Sequence, residues 1–166
     1  MSGASSHVPG PPTLRGLLRH PVHLLAFGLG AGLSPRAPGT AGTLVAIPVY
    51  LACASLPLPA YAALVVVLFA AGIALCGVTA RDLGVHDHPG IVWDEIVGYL
   101  LTLTGLPVSA VWMAAGFVLF RLFDIAKPWP IGWLDRRVGG GLGIMLDDAA
   151  AGALAWMVLW VVTRLV

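Results

Sequence analysis

From Ala37 to Ala80 the chain runs 44 residues without one charged side chain. A water-soluble domain carries about 25% charged residues, and a surface in contact with water rarely leaves so long a stretch uncharged. Across all 166 residues only 10% are charged and 58% are hydrophobic, and the mean hydropathy is +0.91. Such a chain belongs to the membrane class and reads as one compact domain. Leu56-Pro-Leu-Pro59 interrupts the uncharged run near its middle and predicts a helical hairpin. Each arm is about 15–20 residues, near the ~20 that a full crossing requires. The first arm, Leu44 to Leu56, is short for a crossing; Arg81 and Asp82 end the second.

The flanking segments complete an all-α, polytopic pattern of about five short apolar helices. Residues 1–13 are rich in Pro, Gly and Ser, lack the apolar core of a secretory signal and read as a disordered tail. The membrane domain is expected over residues 14–166. Residues 14–28 mix leucines with Arg15 and Arg19, as in an amphipathic segment on an anionic surface, with Pro21 interrupting it. His20 and His23 read as interfacial, since neither has an acidic neighbour in sequence. Gly28 to Thr43 is expected to be a loop with accessible backbone amides that opens a helix near Thr43. Arg81 to Gly90 is a polar loop. The helix that follows is stopped by Gly105-Leu-Pro107, and the next runs from Val108 to about Phe123. Residues 125–148 form the longest polar stretch, before a last helix from Ala149 to Val162. Helices of about 14–16 residues reach ~21–24 Å, less than the ~30 Å hydrocarbon core, so some are expected to stay in one leaflet. Cys53 and Cys76 lie in apolar runs and read as small buried hydrophobes.

Net charge is only +1, but the charges are segregated: all eight carboxylates lie between Asp82 and Asp148. If the N-terminus is cytoplasmic and residues 44–80 and 91–123 each form a hairpin, every polar motif returns to one face. That face then holds every basic residue except Arg164, as the positive-inside rule requires.

It also holds Asp87, Asp94, Glu95, Asp124, Asp147 and Asp148. The adjacent Asp94–Glu95 pair heads an apolar helix, where each buried carboxylate costs several kcal/mol unless compensated. Acids also suit a helix N-terminus; clustering of six carboxylates favours a metal site instead. Hard oxygen donors without thiolates or paired histidines point to Mg²⁺ rather than Zn²⁺. Arg121, Lys127 and the Gly28–Thr43 segment would then face a phosphate. Lys127 could equally pair with Asp124 at a helix end, and Thr43 could simply cap its helix. A Walker loop is missing. Cys76 and Arg81 are one residue too close for a cysteine phosphatase loop. There is no Asp-x-Asp pair, and all five histidines precede Pro89. A metal-activated water is therefore the preferred nucleophile, with Thr40 or Thr43 as the alternative.

Three segments together resemble the phosphatidylglycerophosphatase A family: Gly28-Leu-Gly-Ala-Gly-Leu-Ser-Pro-Arg-Ala-Pro-Gly-Thr-Ala-Gly-Thr43, His86-Asp-His-Pro-Gly-Ile-Val-Trp-Asp-Glu-Ile-Val-Gly98 and Phe120-Arg-Leu-Phe-Asp-Ile-Ala-Lys-Pro-Trp-Pro-Ile131. Gly140 to Gly152 continues the likeness, which spans about residues 24–160. The resemblance implies a Mg²⁺-dependent lipid phosphatase that converts phosphatidylglycerophosphate to phosphatidylglycerol in phospholipid biosynthesis. It implies a multi-pass protein of the bacterial inner membrane with its site facing the cytoplasm. It favours Asp94, Glu95, Asp124 and Asp148 at the metal, with Asp87 and Asp147 as second choices and Asp94, Glu95 and Asp148 as the catalytic set. Ser34, Thr40, Thr43, Arg121 and Lys127 would face the phosphate. Neither nucleic acid nor an obligate protein partner is expected. A small ion or proton transporter is the alternative, since intramembrane carboxylates often mark conduction paths; against it, the two outer turns carry no acid.

Overall fold

The computed structural model describes residues 12–165. The tail expected over residues 1–13 lies, as far as residue 11, outside the described residues. All regular structure among the described residues is helical. Pro21 splits the amphipathic entry into α1 (Leu14–Leu17) and α2 (Pro21–Ala26), and a 3-10 turn follows over Gly28–Leu33. His23 does have an acidic partner, contrary to expectation: its Nε2 lies 2.9 Å from an Asp82 carboxylate oxygen, a contact between segments 59 residues apart.

Two hairpins follow. The first joins α3 (Pro38–Cys53) to α4 (Leu58–Leu83). The second joins α5 (Trp93–Thr102) to α6 (Ala110–Ala126). Ser109 starts α6 by accepting a hydrogen bond from the Trp112 amide, as an N-cap serine should. The short α7 (Ile131–Arg137) and the long α8 (Gly140–Val162) close the chain. Both hairpin turns lie at the same end, since Leu56, Leu58, Gly105 and Val108 line one small cavity of about 90 Å³. With 26 and 23 residues, α4 and α8 are long and apolar enough to cross a membrane; α3 is apolar but shorter, at 16 residues.

Two helix starts differ from expectation. The first begins at Pro38 rather than near Thr43, and the last at Gly140 rather than Ala149. In both cases glycines that read as loop are instead helical residues at close contacts. Pro38 suits a first turn, where its missing N–H costs nothing. At the start of α8, a Cβ on Gly141 would overlap the Ile73 carbonyl of α4. Packing outweighs the weak intrinsic preference of glycine. The structure also places α7 inside the long polar stretch of residues 125–148.

The ten-residue α5 is the hub of the interior. It is too short for its own backbone to hold it, and hydrogen bonds from neighbouring helices fix it. Tyr61 Oη of α4 donates to the Leu100 carbonyl at 2.8 Å, and Trp93 Nε1 donates back to the Leu68 carbonyl at 3.1 Å. Tyr99 Oη reaches the Met113 carbonyl of α6 at 2.9 Å. Against α8 the approach is backbone to backbone: a Cβ at Gly152 would strike the Gly98 carbonyl, and one at Gly98 would lie 2.8 Å from the Asp148 carbonyl. That crossing carries the first turn of α5 to the middle of α8.

Candidate metal centre

Four helices converge at the end of the bundle opposite the hairpin turns. The first turn of α5 supplies Asp94 and Glu95, and α8 supplies Asp147 and Asp148 two turns into the helix. Arg121 and Asp124 come from the last turns of α6. The start of α3 closes the fourth side, where a Cβ on Gly39 would overlap Glu95 Oε1 and sit 2.9 Å from Arg121 Nη1.

Asp94, Glu95 and Asp148 can each present one carboxylate oxygen such that all three oxygens lie within 4.8 Å of one another. Asp94 and Asp148 are buried, and the Glu95 side chain is only 13% exposed. One oxygen on each, Asp94 Oδ1, Glu95 Oε2 and Asp148 Oδ2, is buried without a hydrogen-bond partner. Two unit charges at that separation repel by about 3 kcal/mol at an effective dielectric of ~20. Three such pairs exceed what packing readily offsets. Orphaned acceptors of this kind call for a cation, and an all-oxygen donor set suits a hard divalent ion such as Mg²⁺. The chemistry of the donors and their unsatisfied oxygens fit such an ion.

Arg121 is the cation within reach. Its Nη1 lies 2.6 Å from Asp124 Oδ2 and 3.7 Å from Glu95 Oε1. Asp124 therefore holds Nη1, while Arg121 Nε is buried without an acceptor. Beside them α3 begins with no side-chain cap. The unpaired Nε and an uncapped helix start together favour an anion next to the carboxylates.

The two halves of the Asp147–Asp148 pair have different surroundings. Asp147 is fully engaged: Oδ1 accepts the Asp148 amide at 3.0 Å and Oδ2 accepts from Lys127 Nζ at 2.7 Å. Lys127 also donates to Asp135 Oδ1 at 2.7 Å, so the expected alternative partner Asp124 is not the one it takes. Burial disfavours its charge, but the hydrogen bonds to Asp135 and Asp147 outweigh that and hold its pKa above the usual lysine range. Lys127 ends α6 in the left-handed region, at φ 42°, a conformation that costs a non-glycine residue of order 1–3 kcal/mol. Its two carboxylate partners hold it there. Asp87 stands apart from the three converging carboxylates, on a polar cavity of about 190 Å³ that it shares with His86, Asp135 and Asp147.

Among the hydroxyls, Thr40 lies half-buried in the first turn of α3. Thr43 is fully buried, and its Oγ1 donates to the Gly39 carbonyl at 2.9 Å. Ser34 Oγ donates to the Arg36 carbonyl at 2.8 Å. Two participants escaped the sequence reading. Gly39 was lost in an apparent loop, although its spacing from Thr43 is that of a helix turn. Asp135 sits eight residues past Lys127 across two prolines, and no sequence periodicity connects them.

Residues 24–163 match the family described as Phosphatidylglycerophosphatase A. A protein of that name from Escherichia coli (strain K12) is 50% identical over 144 residues, covering 86% of this chain and 84% of that one. Its namesake from Haemophilus influenzae is 42% identical over 150 residues, 87% of this chain and 90% of its own. A putative phosphatidylinositol-3-phosphatase from Bacteroides thetaiotaomicron is 37% identical over 151 residues, 84% of this chain and 94% of its own. No solved structure matches the chain significantly.

Proposed function

The chain belongs to the phosphatidylglycerophosphatase A family and is a phosphatase, and on that premise we propose that it hydrolyses phosphatidylglycerophosphate to phosphatidylglycerol and phosphate with the help of Mg²⁺. The observation that carries this reading is the set of three orphaned carboxylate oxygens on Asp94, Glu95 and Asp148 beside the unpaired Arg121 Nε. A divalent ion there would supply Lewis acidity, both activating water at neutral pH and offsetting phosphate charge. Arg121, held by Asp124 at Nη1, offers its unpaired Nε to the terminal phosphate, and the first turn of α3, with Thr40, faces the same group. Thr43 supports that turn by holding the Gly39 carbonyl. Asp124 orients Arg121. Lys127, bonded to Asp147, ties the end of α6 to α8 beside the site. In the reaction, water delivers its oxygen to phosphorus as the bond to the glycerol oxygen breaks, and a proton passes to that leaving oxygen.

Residues 14–166 form one membrane domain in this reading, with the site at the cytoplasmic face of a bacterial inner membrane. The uncharged face of α4, the length of α8 and the basic residues around the site support that orientation. Ion transport is not favoured, because the hairpin turns at the far end offer no carboxylate to continue a path. Purified protein in mixed micelles should release phosphate from phosphatidylglycerophosphate with Mg²⁺ and stop with EDTA. Phosphatidylinositol 3-phosphate belongs in the same assay because one relative bears that name. Normal turnover by Glu95→Gln would sink the site assignment, and no phosphate release from either lipid would sink the function.

A further inference from the structure

We propose that the groove between α3 and α6 seats an acyl chain of the lipid substrate, an inference that rests on the phosphatase reading. The two helices meet at the site, where Gly39 packs on the Arg121 guanidinium. Away from that contact they part, leaving an almost wholly apolar groove of about 360 Å³. On one side it is walled by Leu44 and Ile47 of α3; on the other, Ala110, Ala114, Phe117 and Val118 of α6 form its wall. The α6 residues recur at helical spacing, so they form a single stripe along that helix. From Ala110 to Val118 the stripe runs about 12 Å at 1.5 Å per residue.

Its position identifies the occupant. Val118 lies one turn before Arg121, and Leu44 lies about one and a half turns after Gly39. The groove therefore opens where the phosphate ends and the glycerol backbone of a phospholipid would continue. It leads away from the charged end toward the hairpin turns, the direction in which hydrocarbon lies if the site is at the membrane surface. Leu44, Ala110, Ala114 and Val118 are exposed. The alanines at 110 and 114 keep the groove open, because a larger side chain at either position would fill it.

The test fills the groove from the exposed side, so the new side chains meet lipid rather than the core. Ala114→Phe and Ala110→Phe are compared with unaltered protein on dipalmitoyl and dihexanoyl phosphatidylglycerophosphate at fixed mole fraction in mixed micelles. The readout is the ratio of kcat/KM for the long-chain over the short-chain lipid. The groove predicts that this ratio falls at least ~10-fold in Ala114→Phe, one tenfold step being 1.36 kcal/mol. A smaller fall in the same direction is expected in Ala110→Phe, farther from the site. A ratio within twofold of the unaltered protein in both variants overturns the proposal while leaving the phosphatase reading intact. So does parallel loss on both lipids with an unchanged melting temperature, and so does a groove covered instead by a second copy in cross-linking. If the unaltered protein turns over neither lipid, the phosphatase reading fails first and this inference with it.

Discussion

Replacing Gly39 by alanine puts one methyl group where α3, Glu95 and Arg121 meet. The new Cβ would overlap Glu95 Oε1 and sit 2.9 and 3.0 Å from the two terminal nitrogens of Arg121. Ordinary contact needs at least 3.4 Å. The carboxylate must then move by roughly 1 Å, a displacement that can cost on the order of 100-fold in rate when catalytic geometry is affected. At 1.36 kcal/mol per tenfold this is about 2.7 kcal/mol of transition-state stabilisation. Stability should change less. Alanine gains about 0.5–1 kcal/mol over glycine in a helix, against about 1–3 kcal/mol for overpacking. The net loss is at most about 2.5 kcal/mol, and at 2–4 °C per kcal/mol the melting temperature drops by no more than ~10 °C. The assay is kcat/KM for phosphatidylglycerophosphate alongside thermal unfolding in the same detergent. Gly39→Ala retaining more than half of kcat/KM would refute the placement of α3 against Glu95.

Three further variants test the geometry. Asp148→Asn should cut phosphate release at least ~100-fold, since a metal contributes several kcal/mol, yet raise the melting temperature of metal-free protein by relieving repulsion; a lower metal-free value would count against three converging carboxylates. Gly152→Val should wedge α8 from α5, costing about 1–3 kcal/mol and abolishing the rise in melting temperature expected on adding Mg²⁺ to the unaltered protein, as thermal unfolding with and without the ion would show. Lys127→Met leaves the nearly buried Asp147 unpaired. Breaking a buried pair costs about 3–5 kcal/mol, but Lys127 is 32% exposed, so screening reduces the loss to about 1–3 kcal/mol. The Lys127 pKa is raised in the folded state, so its contribution is complete below the unfolded value near ~10.4 and is lost only as pH rises through the higher folded one. The stability gap between Lys127→Met and the unaltered protein should therefore stay flat between about pH 7 and 9, and a gap that closes over that range would contradict the pairing.

Much of the topology was legible because breakers and hydropathy act locally. Leu56-Pro-Leu-Pro59 and Gly105-Leu-Pro107 fall at the two hairpin turns, and the turns meet at one end. Glycine was the weak signal. Gly39 and Gly141 permit close approach within helices, yet a glycine that permits contact looks in sequence like one that permits a turn. Only the partner across the contact distinguishes them, and that partner lies far along the chain. The same limit governs the acids. Asp94 and Glu95 stand out as a pair heading an apolar helix, but nothing in Asp147-Asp148 says which is free. The answer depends on Lys127, which reaches Asp147 and leaves one Asp148 oxygen unpaired. Lys127 in turn depends on α7 bringing Asp135 back beside it, and seven mixed residues give no periodicity to read.

That Asp94, Glu95 and Asp148 hold a divalent ion can be tested without relying on turnover, by Mn²⁺ binding followed by electron paramagnetic resonance. Mn²⁺ takes the same hard oxygen donors as Mg²⁺. Titrated into detergent-solubilised protein, it should give a saturable bound fraction that Mg²⁺ displaces and that Asp148→Asn and Glu95→Gln lose. Mn²⁺ that stays free in the unaltered protein, or binds undiminished in both variants, would contradict the claim.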